Sequence, residues 1–204
     1  RLDLIAGYMF SRVDDNLQIS NVSNITPATF GAKIEVEDAF EATNKFHGGQ
    51  LGLLAEIDRG PLTLSLLAKM GLGNMNEVVA ISGNSRITDL AGGRQSFDTG
   101  ILALPSNSGV YKTDKFTIIP EAEAKLIWRL TRHLDVTLGY SCMYWNDVAM
   151  AADQIQLSSS GLPMVNSSQW FGGALQGPAA PTVSGITDTD LWLHAVNFGV
   201  TFRM

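Results

Sequence analysis

Apolar and polar residues alternate along six segments of the chain, and the cleanest of them runs to the last residue. Trp192, His194, Val196, Phe198, Val200, Phe202 and Met204 fall in one phase, and Leu193, Ala195, Asn197, Gly199, Thr201 and Arg203 in the other. A period of two predicts a β-strand with unlike faces, because successive side chains point to opposite sides of the sheet. The first segment, Leu2 to Phe10, sets Leu2, Leu4, Ala6, Tyr8 and Phe10 against Asp3, Ile5 and Gly7. The second, about 46–57, sets Leu51, Leu53, Ala55 and Ile57 against Gln50, Gly52, Leu54 and Glu56. The same pattern runs from Leu62 to about Gly73, from Phe116 to Leu130 and from Leu134 to Asn146. Runs of this length suit a tilted bilayer crossing, which takes about 9–11 residues, better than a globular sheet, where about 5–6 is usual.

The connections predicted between these strands are of two kinds. Two are tight, 58–61 and 131–133, and the first carries the turn-forming run Asp58-Arg59-Gly60-Pro61. Three are long, about 11–45, 74–115 and 147–191. Alternate connections of an up-and-down sheet lie at one end, so all the long ones gather on one side. Structureless connections beyond about 12–15 residues are uncommon in compact soluble domains, whereas outer-membrane barrels have short periplasmic turns and long external loops. The expected fold is all-β, an antiparallel up-and-down transmembrane β-barrel forming a single domain over 1–204. The pattern is already in phase at Arg1, which predicts upstream strands and makes the six seen here the C-terminal part of a larger barrel.

Charge follows the phase. No charged residue falls among the apolar-phase positions of the strands. The polar phase carries Glu56, Lys69, Glu121, Glu123, Lys125, Arg129, Asp135 and Arg203, which are expected to face a lumen and to pair across strands. Tyr8, Phe10, Phe116, Tyr144 and Trp192 fall at the long-loop ends of the apolar phase, and Trp128 and Phe202 at the turn ends. Amphipathic rings settle at headgroup level, so these seven are the expected aromatic girdle. Pro120 interrupts the fourth strand, where it removes a ladder donor and predicts a bulge beside Glu121.

Composition adds little to this picture and removes several rivals. Charged residues are 17% of the chain, and no run approaches the eighteen apolar residues of a membrane helix. No charged-then-apolar leader precedes the first strand, so a signal peptide is not predicted here. The net charge of -6 argues against nucleic acid as a partner. The three long connections hold 14 acidic and 7 basic residues, against 6 and 7 in the strands and tight turns, so the excess negative charge is assigned to the loops. Cys142 stands alone, which excludes an intrachain disulfide.

Six stretches carry a family resemblance: LDLIAGYMF, NKFHGGQLGLLAEIDRG, LLAKMGLGN, SNSGVYKTDKFTIIPEAEAKL, LTRHLDVTLGYSCMYWNDVAMAADQI and LWLHAVNFGVTFRM. In this order the chain resembles the C-terminal portion of the planctomycete-type putative beta-barrel porin family, the one numbered seven. The resemblance implies an outer-membrane barrel whose earlier strands precede Arg1. It implies no activity, substrate or site residue that can be transferred position by position. Members commonly end in an aromatic, whereas here Met204 is last and Phe202 stands two residues in.

Catalytic chemistry is not predicted. His47, His133 and His194 are scattered, with no second ligand at metal spacing. Glu121 and Glu123 share a face with Lys125 and Arg129, which predicts an ion-pair ladder rather than an acid and base. No serine stands in a nucleophile motif with a histidine, and Gly71-Leu72-Gly73-Asn74 lacks the spacing and the helix of a phosphate loop. No enzyme, metal or cofactor is expected. The leading expectation is a porin-like passive channel for small hydrophilic solutes in the bacterial outer membrane, with outer-membrane lipid as its surroundings and barrel-assembly machinery implied. A plugged structural or adhesive barrel acting through its acidic loops is the second reading, and a soluble all-β domain the third. Neither composition nor pattern assigns an oligomeric state.

Overall fold

The strands do not stop where the alternation breaks. In the computed structural model, which describes residues 1–25, 31–156 and 185–203, the first three run on to more than twice the expected length. The elements are β1 (Leu2–Ile25), β2 (Ala32–Arg59), β3 (Leu62–Asp89), β4 (Arg94–Phe97), β5 (Gly109–Arg129), β6 (Leu134–Ala149), a single 3-10 turn (Ala152–Gln154) and β7 (Asp188–Phe202). They form one sheet in the order β1-β2-β3-β5-β6-β7, with β4 beside the far end of β3, and every pairing is antiparallel. The sheet is open and strongly curled, a half-barrel of six core strands.

The connections between β2 and β3 and between β5 and β6 are tight, with Gly60 at φ 61 in the first. The long ones differ from expectation. Residues 11–45 are mostly one hairpin, β1 and β2 pairing without a break from Leu2↔Ala55 to Ile25↔Ala32. Within 74–115, β3 runs to Asp89 and β5 begins at Gly109, so only 98–108 lies outside turns and strands as a substantial irregular stretch. Of 147–191 the structure describes 147–156 and 185–191; the remainder of that expected loop, like Met204, lies outside the described residues.

The cause is a change of phase. Up to the level of Phe10, His47, Asn74 and Phe116, which are mutual partners across β1, β2, β3 and β5, the exposed face is apolar. Beyond it the same face carries Arg12, Lys45, Asn76 and Asp114, then Asn16 and Glu41. The opposite face inverts in step. Phe40, Ala42, Phe46, Met75, Val79 and Ile81 are buried there, all on the phase that carries Gln50, Gly52 and Lys69 lower down. Along the sequence, one apolar phase therefore ends at this level although the strand continues.

The buried face is the concave one, since its contacts reach across strands that are not neighbours in the sheet. Phe46 on β2, Met75 on β3, Ile119 on β5 and Trp145 on β6 form one cluster with Val148, and Asn44 on β2 bonds to Ala149 at the end of β6. At the inversion level Gly48 and Gly73 are direct partners, and a Cβ on Gly48 would lie 2.4 Å from Leu72 O and 2.8 Å from Gly73 Cα. Two glycines there let β2 and β3 approach where the sheet bends.

Pro120 sits in β5 without a bulge in β5 itself, paired with Met70 across an unbroken β3 ladder. Ile118 N–H points towards β6 and donates to Asn146 Oδ1 (3.3 Å), so Pro120, two residues on, turns its donorless nitrogen the same way. The β5–β6 ladder begins only at Glu121↔Met143, and the irregularity lies in β6, between Trp145 and Val148. The missing donor is accommodated by the partner strand.

Candidate functional site

Two kinds of concave surface meet along these strands. In the half nearer the turns the ionic residues share the inward phase with short side chains, Gly52, Ser65, Gly139, Ser141, Asn197 and Gly199, and with the aliphatic Ile5, Leu54, Leu67 and Ile127. Lys69 and Glu121 are direct partners across β3 and β5 and form an ion pair at 2.8 Å. Lys125 pairs with Glu123 on the same strand at 2.6 Å. Arg203 closes on Asp135 across β6 and β7 at 2.6 Å, and Arg1 reaches Asp3 at 2.8 Å and Glu56 at 3.3 Å. Arg129, at the turn end of β5, is exposed and has no ion pair among the described residues. Seven of the eight sequence-predicted polar positions thus lie in matched pairs along one face, with small residues leaving space between them.

In the far half the concave face is filled, and polar side chains hold the filling in place. Asp38, buried on β2, accepts backbone N–H bonds from Ile101 (3.1 Å), Leu102 (3.1 Å) and Ala103 (2.8 Å). A Cβ at Gly100 would fall 1.7 Å from Asp38 Oδ1, so glycine is required for the 98–103 segment to sit this close. Asn44 accepts from Ala149 N and donates to Ala149 O, both at 2.8 Å. Asp15 accepts from Ala151 N at 2.8 Å, and Gln154 bonds the backbone of Thr187 in both directions (2.7 and 3.1 Å). Asp38 and Asp15 thus satisfy backbone donors of segments with no strand partner, while Asn44 ties down the end of β6 and Gln154 the approach to β7.

One ionic cluster in this half is unbalanced. Glu77 is fully buried, 3.3 Å from Lys115 Nζ, and Lys115 also pairs with Asp188. Burial, with Asp188 as a second anion, pushes the Glu77 carboxyl up to about 7 against the pull of Lys115. Lys115 is held above its ordinary value by Asp188 and Glu77 in spite of its own burial.

On the convex face the aromatic positions lie in the outward phase. Tyr8, Phe10, Phe116, Trp128, Trp192 and Phe202 are exposed, and Tyr144 packs on Trp192 with ring centroids 4.7 Å apart. Both histidines of this face are paired with a tyrosine, His47 Nδ1 with Tyr8 Oη at 2.6 Å and His194 Nδ1 with Tyr140 Oη at 2.8 Å. An outward polar ring is thereby satisfied within the protein. His133 lies in the β5–β6 turn, and among the described residues no group of three His, Cys, Asp or Glu side chains is placed to hold a metal.

Asp38, Asn44, Glu77 and Gln154 were not singled out from sequence. The alternation of Ile34, Val36, Phe40, Ala42 and Phe46 with Lys33, Glu35, Glu37, Glu41 and Lys45 marks β2 as a strand, and it makes Asp38 and Asn44 polar exceptions on its apolar phase. Such exceptions are the available signal.

No curated protein and no solved structure matches the chain. A family model matches it over residues 1–204, and with a half-barrel of antiparallel strands, apolar outside and ion-paired inside, the chain belongs to the family described as putative beta barrel porin-7.

Proposed function

We propose that the chain forms part of an outer-membrane barrel that passes small hydrophilic solutes along its concave face. The observation that carries this reading is the inversion of the strands. The convex apolar belt suits lipid, where backbone groups paired between strands need no water and an exposed charge is costly. The concave side of the same belt bears matched ion pairs and short side chains among four aliphatic ones, and its charged groups suit water. In this arrangement the tight turns face the periplasm and the strand extensions project outside the cell. Glu56, Lys69, Glu121, Glu123, Lys125, Arg129, Asp135 and Arg203 line the path, and barrel-assembly machinery inserts the protein. Near-balanced charge on that path gives weak ion selectivity, with the acidic extensions favouring cations at the entrance. Planar-bilayer recording on the full-length protein tests the reading. Discrete conductance steps are expected, and their absence from correctly folded protein overturns it.

A second reading is favoured by the packing of 98–108 and 147–156 onto the concave face beyond the belt. If these segments close the mouth, the barrel is plugged and acts through its extensions. Liposome swelling separates the two: sugars enter through an open path and are excluded by a plugged one.

A further inference from the structure

The charges of the concave belt are matched in pairs except at its turn end. There β5 places Ile127 and then Arg129 on the inward phase, and Arg129 is the direct partner of Asp135 on β6. The Asp135 carboxylate is already committed, since Arg203, just past β7, closes on it at 2.6 Å, and its side chain is only 6% exposed. Arg203 N also donates to His133 O at 2.9 Å, which ties the end of β7 to the β5–β6 turn beside Asp135. One buried carboxylate thus has an arginine on each flanking strand. Arg129 forms no ion pair among the described residues. Farther along this phase Glu123 is held by Lys125 at 2.6 Å, and Asp58 accepts from Thr63 at 2.5 Å.

The sheet beside these arginines is small and hydroxylated. On the inward phase Thr137 of β6 is the direct partner of Gly199 of β7, and Asp135 that of Thr201. A Cβ on Gly199 would meet only Thr137 Cβ, at 3.8 Å, so the space above it is open. A guanidinium carries five donors. Arg203, 57% exposed, gives part of its set to Asp135, and Arg129 is exposed with no carboxylate of its own. Two guanidinium ions against one carboxylate leave this end of the path locally positive. We propose that Arg129 and Arg203, over Thr137, Gly199 and Thr201, form a subsite at the turn-side mouth that takes an oxyanion group of a small solute. Guanidinium forks match the oxygens of such a group in pairs, and the threonine hydroxyls add neutral donors beside them. The subsite names a solute class for the channel reading above and rests on it.

The test is planar-bilayer recording on the full-length protein in potassium chloride, with inorganic phosphate added at constant ionic strength. In the wild type phosphate is expected to lower the chloride current as it occupies the subsite. Arg129→Gln is expected to raise the half-blocking phosphate concentration by about 1.5- to 5-fold, the range of one exposed charge pair. It also shifts the reversal potential in a salt gradient towards that of potassium. Arg129→Lys keeps the charge but not the fork, so it holds the wild-type reversal potential and loses part of the phosphate block. Lys45→Gln makes the same change of charge on the outward face of the extension and keeps both wild-type values. A wild type that phosphate does not block, equal block and reversal potential in wild type and Arg129→Gln, or an equal effect of Lys45→Gln each overturns the subsite and leaves the channel standing. Absence of conductance from correctly folded protein removes the channel reading and the subsite with it.

Discussion

In the belt half of the sheet Leu4, Leu53, Ala68 and Ala122 share the convex face while Lys69 and Glu121 pair on the concave one. Farther along the same strands Asn16 and Glu41 are outside, and Phe40 and Ile81 are inside. The hydrogen-bond register does not change between the two, so the backbone is satisfied identically in both. What differs is which side of the sheet is dry. In the far half the dry side is a protein core, closed by 98–108 and 147–156; in the belt half the reading above puts lipid there. A β-strand permits this exchange at the cost of a shift of one residue in the hydrophobic phase, and Gly48 and Gly73 mark the level at which it happens.

The sharpest way to test the comparison is to remove one buried ring. Phe40 is 0% exposed and packs with Ala42, Val79, Ile81 and Ala149. Phe40→Ala is expected to destabilise the folded chain by about 3–5 kcal/mol, lost transfer energy plus a cavity. Leu53→Ala in the belt costs much less, because acyl chains or detergent fill the vacated space. Urea unfolding of both variants in detergent or lipid measures the difference. Equal losses at the two positions mean that the belt is packed against protein.

Adding a charge reverses the asymmetry. Leu53 and Ala80 lie in the same outward phase, one in the belt and one in the extension. Leu53→Arg is expected to cost about 2–4 kcal/mol in a bilayer, and Ala80→Arg, on a surface that already carries Glu41 opposite, no more than about 0.5 kcal/mol. The contrast should shrink sharply for Leu53 when the folded protein is compared in a medium that hydrates the belt. If both substitutions are tolerated alike in lipid, the belt does not lie in the membrane.

These halves were unequally legible. The belt strands announce themselves because Leu, Ala, Ile and Met recur at every second position from 51 to 57 and from 62 to 72. In the extensions the alternation is as regular in 33–46, but it is shifted by one residue across Gly48-Gly49, two positions with no side chain to show the phase. Polar residues on the inward phase, Asp38, Asn44 and Glu77, weaken it further. Their partners cannot be read locally, since Asp38 meets 101–103 and Asn44 meets Ala149, 105 residues away. The ion pairs of the belt were more accessible, because Lys69 and Glu121 follow from strand register alone.

The smallest effect expected concerns the ionic groups of the two halves. In the belt Lys69 and Glu121 are matched one to one and reach water. In the far half Glu77 and Asp188 share Lys115, and Glu77 is dry. The Glu77 carboxyl, ordinarily near 4.5, is raised to about 7 in the folded chain. The folded state therefore binds a proton more tightly than the unfolded one between these values. This contribution to stability is fully present below about 4.5 and is lost as the pH rises through about 7. Glu77→Gln keeps Lys115 on Asp188 and removes the buried anion, so it should flatten this slope and stabilise the chain above pH 7 by on the order of 1–3 kcal/mol relative to its effect in acid. Unfolding free energies measured from pH 4 to 8 read the difference directly. An identical slope in wild type and variant would mean that water reaches Glu77, and that the far half is not the closed core its packing describes.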